Sequence, residues 1–376
     1  MPPFAAEIDL AAVRANVAEL RRRAGEAAVM AVVKADGYGH GMLPCARAAI
    51  AGGATWLGVA FVEEAVTLRD AGIEVPVLAW LVSPHSDLRP ATLRSIDVSV
   101  SADWALELAA AAARETGSAI RVHLKADTGL GRAGAMPPQW STLCEKALKL
   151  AADGLVEIVG VWSHLAYADS PAHPTIAMQK ERFDVALRVA ASVGVFPQVR
   201  HLANSAATLA LPQTHYDLVR PGVAVYGLSP GPEVGRAADL GLRPAMRLRA
   251  DVALVKRVPA GQGVSYAHRY VTERETTLAL VPLGYADGIP RAATNVGPVL
   301  IGAEQYTVSG TVCMDQFVVD VGDAQVEAGE EVVLFGSEDA GEPTADDWAA
   351  AVGTINYEIV TRIGPRVPRI YREEKA

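Results

Sequence analysis

Up to about residue 238 the chain repeats one pattern. A short run rich in β-branched and apolar residues is followed by an Ala-, Leu- and Arg-rich stretch at helical spacing. The runs are "VMAVVK" (29–34), "TWLGVA" (55–60), "VPVLAW" (75–80), "SIDVSV" (95–100), "AIRVHLK" (119–125), "LVEIVGVWSH" (155–164), "FPQVRHL" (196–202) and "YDLVR" (216–220). Helical patterns such as "GMLPCARAAIAGG", "VEEAVTLRDAG" and "MQKERFDVALRVAASVG" lie between them, several ending in Gly as helix stops do. Eight strands alternating with helices predict a parallel sheet. The simplest form is a closed (β/α)8 barrel of the TIM type; an open doubly wound sheet is the alternative.

Near residue 240 the texture changes. "RPAMRLRADVALVKRVPAGQGVSY" and "TTLALVPLGYADG" alternate apolar and polar residues, with Gly and Pro turns between. This predicts a C-terminal, mostly antiparallel β domain. The expected division is residues 1–238 for the barrel and 239–376 for the β domain. One helix is expected there, in "TADDWAAAVG", with a Thr cap and acids in its first turn. "AAEIDL" reads as a strand before the barrel, and residues 1–10 are candidates to pair with the second domain.

Composition removes several classes of function. The formal net charge is -9 and no long basic run exists, so nucleic acid is not an expected partner. "MPPFAAEIDL" has no basic segment followed by an apolar one, so no signal peptide is expected. No apolar stretch approaches the roughly 18 residues of a membrane span. Cys45, Cys144 and Cys313 are few and far apart, which fits free thiols in a reducing compartment and a cytoplasmic protein. CxxC, HExxH and GK[ST] are all missing, so no metal site is expected.

Polar residues cluster at the C-terminal ends of the expected barrel strands: Lys34, Lys125, His164, His201 and Arg220. A barrel brings all these ends to one face, where such folds place their chemistry. Each residue alone reads as a solvated strand end. Together, three of them cationic, they predict a site for an anionic ligand. In "RHLANSAATLA", Asn204 and Ser205 open a helix after a strand, and in "VRPGVAVYG" Gly222 lets the backbone approach a ligand. Both lie where this fold usually holds phosphate; a plain helix cap is the blander reading of "ANS". "GLGRAG" (129–134) matches GxGxxG, but Pro137-Pro138 delays the helix that a dinucleotide site needs at once.

Taken together, "VVKADGYGHG", "KADTGLGR", "HLANSAA", "VRPGVAVYG", "GVSY", "PLGYADGIPR", "CMDQ" and "INYEIVTRI" resemble the segments of alanine racemase, in that family's order and across nearly the whole chain. The family is a fold-type III enzyme dependent on pyridoxal 5'-phosphate (PLP). The resemblance implies that Lys34 carries the cofactor and is one of two catalytic bases, with Tyr266 the other. Tyr38, Ser205, Gly222, Val223 and Tyr357 would hold the phosphate, the glycine and its neighbour through backbone amides, with Asn204 beside them. Arg220 would face the pyridine nitrogen, and His164 would bridge Arg220 and Tyr266. Arg132 and the Met314 amide would bind the substrate carboxylate. Lys125, often carbamylated in relatives, would orient Arg132; His201 and Asp315 would support the site. Tyr285, Asp169 and Arg291 would line the entrance. The implied activity is interconversion of L- and D-alanine for cell-wall peptidoglycan, by a homodimer with shared active sites.

The chemistry explains the residue types. Racemisation removes a weakly acidic Cα proton and returns one to the opposite face, so a base is needed on each face. A free amine near 10.4 and a phenol near 10 are too weakly acidic to act near neutrality, and nearby cations correct this. Two departures from the family pattern stand out. Thr311 replaces an Arg common two residues before the Cys-Met-Asp segment, and Tyr167 lies beside Asp169. Rival readings are a racemase of broader specificity for serine or basic amino acids, a non-catalytic PLP-binding barrel, a decarboxylase of basic amino acids and a PLP-free sugar-phosphate isomerase.

Overall fold

The structure, a computed structural model, describes residues 2–373. The first nine strands in chain order are β1 (Phe4–Asp9), β2 (Ala28–Val32), β3 (Trp56–Val59), β4 (Val77–Ala79), β5 (Asp97–Val100), β6 (Ile120–Lys125), β7 (Val156–Trp162), β8 (Val199–His201) and β9 (Leu218–Val219). Strands β2 to β9 form one parallel sheet, in the order β8-β7-β6-β5-β4-β3-β2-β9. Its two ends meet: the Asp217 amide donates to the Arg200 carbonyl at 3.1 Å and the Arg220 amide to the Ala203 carbonyl at 2.9 Å. The sheet is thus a barrel and not an open doubly wound sheet. Seven of these eight strands fall within a predicted run, and β2 starts one residue ahead of its run, at Ala28.

Side chains alternate across such strands. Met30, Leu78 and Leu218, with Trp56 and Trp80 packed on them, form an apolar plug separate from the main core. The other face of the strands packs on the surrounding helices, among them Leu10–Ala24, Asp103–Thr116, Pro137–Ala152 and Thr175–Ser192. The "GLGRAG" stretch is a loop whose Gly129 and Gly131 amides donate to the Asp127 carboxylate, and the following helix begins at Pro137.

The second domain adds β10 (Met246–Asp251), β11 (Leu254–Val258), β12 (Gly263–Val264), β13 (Tyr270–Val271), β14 (Thr276–Val281), β15 (Pro298–Ile301), β16 (Glu304–Thr307), β17 (Phe317–Gly322), β18 (Glu331–Phe335) and β19 (Arg369–Arg372). Its largest sheet runs β16-β15-β18-β10-β1-β19, so the first strand of the chain sits inside it, antiparallel to β10 and parallel to β19. The Thr344-capped helix Ala345–Val352 is present. A second helix, Asn356–Thr361, corrects the expectation of only one. At six residues, with Ile, Val and Thr in its second half, it has too little periodicity to be read from sequence. It brings Tyr357 and Thr361 to the barrel mouth.

Candidate active site

Val32 closes β2, and Lys34 follows it at the start of a short helical turn. That turn is left-handed: φ is 53° at Ala35, 51° at Asp36, 62° at Gly37 and 53° at Tyr38. Left-handed geometry costs a non-glycine residue about 1–2 kcal/mol. Tertiary contacts hold it. Glu64 accepts from the Ala35 amide at 2.7 Å, Asp36 accepts from the Met42 amide at 2.8 Å, and Arg369 donates to the Gly39 carbonyl at 3.0 Å. Strain held this firmly at one place is a mark of a functional site. Its effect is to place the Lys34 ammonium 5.7 Å from the centre of the Trp80 ring and 5.9 Å from that of Tyr38.

These residues open onto a cavity of about 720 Å³ at the C-terminal end of the strands. Lys34, Lys125, Arg132 and Arg220 line it, and among the described residues no carboxylate does. Trp162, at the end of β7, anchors two of them: Lys125 Nζ lies 4.1 Å and the Arg220 guanidinium 4.8 Å from its ring centre. Arg220 is tied down on one side. Its Nη2 donates to the carbonyls of Ser163 (2.9 Å) and Leu202 (3.1 Å) and lies 3.4 Å from His164 Nδ1. Its Nη1 lies 3.2 Å from His201 Nδ1. Asn204 caps the helix Ser205–Ala210, and Ser205 Oγ accepts from the Gly222 amide at 2.7 Å, which leaves its own O–H to donate. A Cβ at Gly222 would overlap the Tyr38 hydroxyl, so only glycine lets that loop close on the tyrosine.

The electrostatics follow from burial and crowding of positive charge. Burial and the Arg132 charge lower the pKa of Lys34. Burial, then Arg220 and Arg132, bring Lys125 down to about 8. Burial and the same cations push His164 well below the usual range, so it is neutral. Burial brings Arg220 to about 9, still charged at neutral pH. Burial raises Tyr38 and Tyr357, which keeps both as hydroxyl donors.

The remaining sequence-predicted residues fall elsewhere. His201 is buried behind Arg220. Tyr266, Tyr285 and Met314 do not line this chain's cavity; they form a group on the β domain with exposed side chains. Backbone contacts tie them together: Thr311 Oγ1 donates to the Tyr266 carbonyl at 2.9 Å, the Tyr285 amide to Cys313 at 3.0 Å, and the Ala286 amide to Met314 at 2.9 Å. Thr311 is buried, so it acts here as a tether for Tyr266. Asp315 is exposed and pairs with Arg366 at 2.8 Å. Arg291 and Asp169 are exposed, and Tyr167 stacks on His173 at 3.8 Å. Trp162, Trp80 and His123 were not singled out from sequence. The period of two was the available signal: His123 shares a strand face with Lys125, and Trp162 is flanked by Val161 and Ser163 at a strand end.

A parallel barrel with a crowded amine, a cationic cavity and hydroxyl donors at its C-terminal mouth defines a barrel enzyme for a small anionic ligand. The comparisons with known proteins narrow the class. The family models described as alanine racemase, N-terminal and C-terminal domain, match residues 8–230 and 245–371. The alanine racemase of Frankia casuarinae is 66% identical over 366 residues, covering 97% of this chain and 95% of that one. The crystal structure of alanine racemase from D-cycloserine-producing Streptomyces lavendulae superposes with a TM-score of 0.97 at 58% identity, covering 98% and 97% of the two chains. That of the Bacillus anthracis enzyme with bound L-Ala-P gives 0.90 at 35% identity, covering 100% and 96%. The chain belongs to the alanine racemase family and is an isomerase. Among the described residues no helix is long and apolar enough to cross a membrane, and no cluster of metal-binding side chains occurs.

Proposed function

We propose that this enzyme interconverts L- and D-alanine with PLP by a two-base mechanism, in the cytoplasm, supplying D-alanine for peptidoglycan. The family uses PLP. The observation that carries the reading for this chain is the cavity itself, lined among the described residues by four cations and no carboxylate, with hydroxyl and amide groups and the Lys34 amine in its wall. Its volume and charge suit a phosphorylated aromatic aldehyde. Ser205, Tyr38 and Tyr357, with the Gly222–Val223 backbone and Asn204 beside them, would hold the phosphate. Arg220 would face the ring nitrogen.

When bound, PLP supplies the electron sink that makes an amino acid's Cα proton removable. Lys34 holds the cofactor and, once freed by substrate, takes or returns that proton at Nζ; its lowered pKa suits it to the task. Arg220, held charged by geometry and unable to surrender its proton readily, leaves the ring nitrogen neutral and limits protonation away from Cα. Arg132 and the Met314 amide would hold the substrate carboxylate, with Lys125 orienting Arg132 and Asp315 supporting Met314.

Tyr266 would serve the opposite face, linked to Arg220 through His164. It is exposed and does not line its own chain's cavity, which supports a homodimer in which each barrel is completed by the partner's β domain. Tyr285, Arg291 and Asp169 would then flank the entrance. The test is a chiral assay of D-alanine formed from L-alanine, with serine and lysine alongside and Lys34→Ala as control. Alanine turnover lost in both directions in the variant is expected, a loss of at least about 10³-fold. Preference for serine or lysine would move the assignment to a broader racemase; full activity in Lys34→Ala would overturn it.

A further inference from the structure

Behind Arg220 a line of polar groups runs through the barrel interior to its opposite end. Arg220 Nη1 is 3.2 Å from His201 Nδ1, His201 Nε2 is 2.8 Å from His123 Nδ1, and His123 Nε2 is 3.0 Å from Asp97 Oδ2. Arg121 Nε then donates to Asp97 Oδ1 at 2.6 Å and its Nη1 to Glu157 at 3.0 Å. Asp97, His123 and His201 are fully buried. A Cβ at Gly160, on the neighbouring strand, would overlap the His123 ring, so space has been kept for it. Trp162 stacks on His201 with the planes 3° apart, and Trp56 meets His123 edge-on at 5.6 Å.

We propose that Asp97 and His123 are positioning residues for the racemase reaction: they set the tautomer of His201, which in turn holds Arg220. The direction of the line is forced. Arg220 can only donate, so His201 Nδ1 must accept. A neutral His201 then carries its proton on Nε2 and donates to His123 Nδ1. His123 carries its proton on Nε2 and donates to the Asp97 carboxylate. Two neutral rings and one carboxylate satisfy every contact; the reverse orientation sets two donors face to face at Arg220. Burial, with the Arg220 charge beside it, keeps His201 neutral. Burial opposes ionisation of Asp97, but His123 and Arg121 outweigh it and hold the carboxyl below its usual range.

The kinetic arm of the test rests on the proposed alanine racemisation; the proton map does not. Neutron diffraction from perdeuterated holoenzyme should show deuterium on Nε2 and none on Nδ1 of both His123 and His201. Deuterium on His201 Nδ1 overturns the proposal. In Asp97→Asn, Arg121 keeps the amide oxygen, so the NH2 group faces His123 and reverses the line, as an Asn replacing an imidazole-orienting Asp does elsewhere. We expect deuterium to move to Nδ1 of both rings, kcat to fall about 10- to 100-fold, and KM for alanine to stay within about two-fold. Unchanged kcat with reversed tautomers overturns the proposal; if the variant does not fold, the wild-type map decides alone. Wild-type activity on alanine in the same preparation separates the readings: its absence sinks the proposed function, and the map then judges the tautomers by themselves.

Discussion

Around the barrel cavity Arg220 is 5% exposed, whereas on the β domain Tyr266 is 70% exposed, Met314 53% and Tyr285 42%. The first group is held by side-chain hydrogen bonds and ring contacts from several strands. The second is held mainly through its backbone, on loops, with its side chains left in solvent. Burying apolar surface is worth about 25 cal/mol per Å², so large side chains gathered in the open mark a surface that gains by being covered. The difference fits the proposed shared site: the barrel would contribute a finished, charged half, and the β domain a pre-positioned half that needs a second body. In the homodimer proposed above, C2 symmetry would provide that body twice over, each chain's loops meeting the other's barrel.

The strongest way to break this comparison is to inactivate each half in a different chain. Lys34→Ala and Tyr266→Phe should each lose at least about 10³-fold. Mixed under conditions that exchange subunits, half of the dimers should be heterodimers with one intact site, so about a quarter of all sites recover. Verified exchange with no recovered activity would place Tyr266 in its own chain's site. In single turnovers in deuterated water, Tyr266→Phe should impair exchange at one alanine enantiomer, the L form, far more than at the other.

A smaller effect is expected from reversing the charge beneath the cavity. Arg220→Glu should slow racemisation by about 10²- to 10³-fold and raise the transamination product, because an acid would keep protonated the ring nitrogen that, in the proposed mechanism, Arg220 would leave neutral. No rise in that product would show that Arg220 acts by positioning alone, and the barrel half would lose its electronic role.

The smallest effect concerns Lys125. With its pKa brought down to about 8, roughly a tenth of this amine is neutral at pH 7, against about one in 3,000 for an ordinary lysine. The neutral amine attacks CO2, forms an N–C bond and loses a proton, turning a cation into an anion among Arg132 and Arg220. Carbamylation should therefore increase as pH rises toward 8, visible as carboxylate density on Nζ. Lys125→Ala should lose about 10-fold in kcat/KM and recover in part with added acetate. An unmodified Lys125 in a well-resolved crystal structure, with no rescue, would leave Arg132 to be oriented otherwise.

Much of the barrel was legible because its signals are local. A β-branched run and a following helical stretch each carry their own periodicity, and Lys125, His164 and Arg220 stand at strand ends that the sheet must bring together. Lys34 was legible as a strand-end amine, but its left-handed turn was not. Gly37, Gly39 and Gly41 mark a bend; Ala35, Asp36 and Tyr38 adopt positive φ only because Glu64 and Arg369, 29 and 330 residues from their partners, hold them.

By itself the sequence determined the element types, the end of the barrel that carries charge and, through its motifs, the family. These depend on neighbours within a few residues. Only the tertiary structure decided how the ends of the sheet meet, that β1 joins the far domain, that the helix Asn356–Thr361 carries Tyr357 to the cavity, and that Asp97, His123 and His201 line up behind Arg220. Each is a contact between residues distant in the chain, made when burial leaves a polar group no water and it must take whichever partner the packing brings.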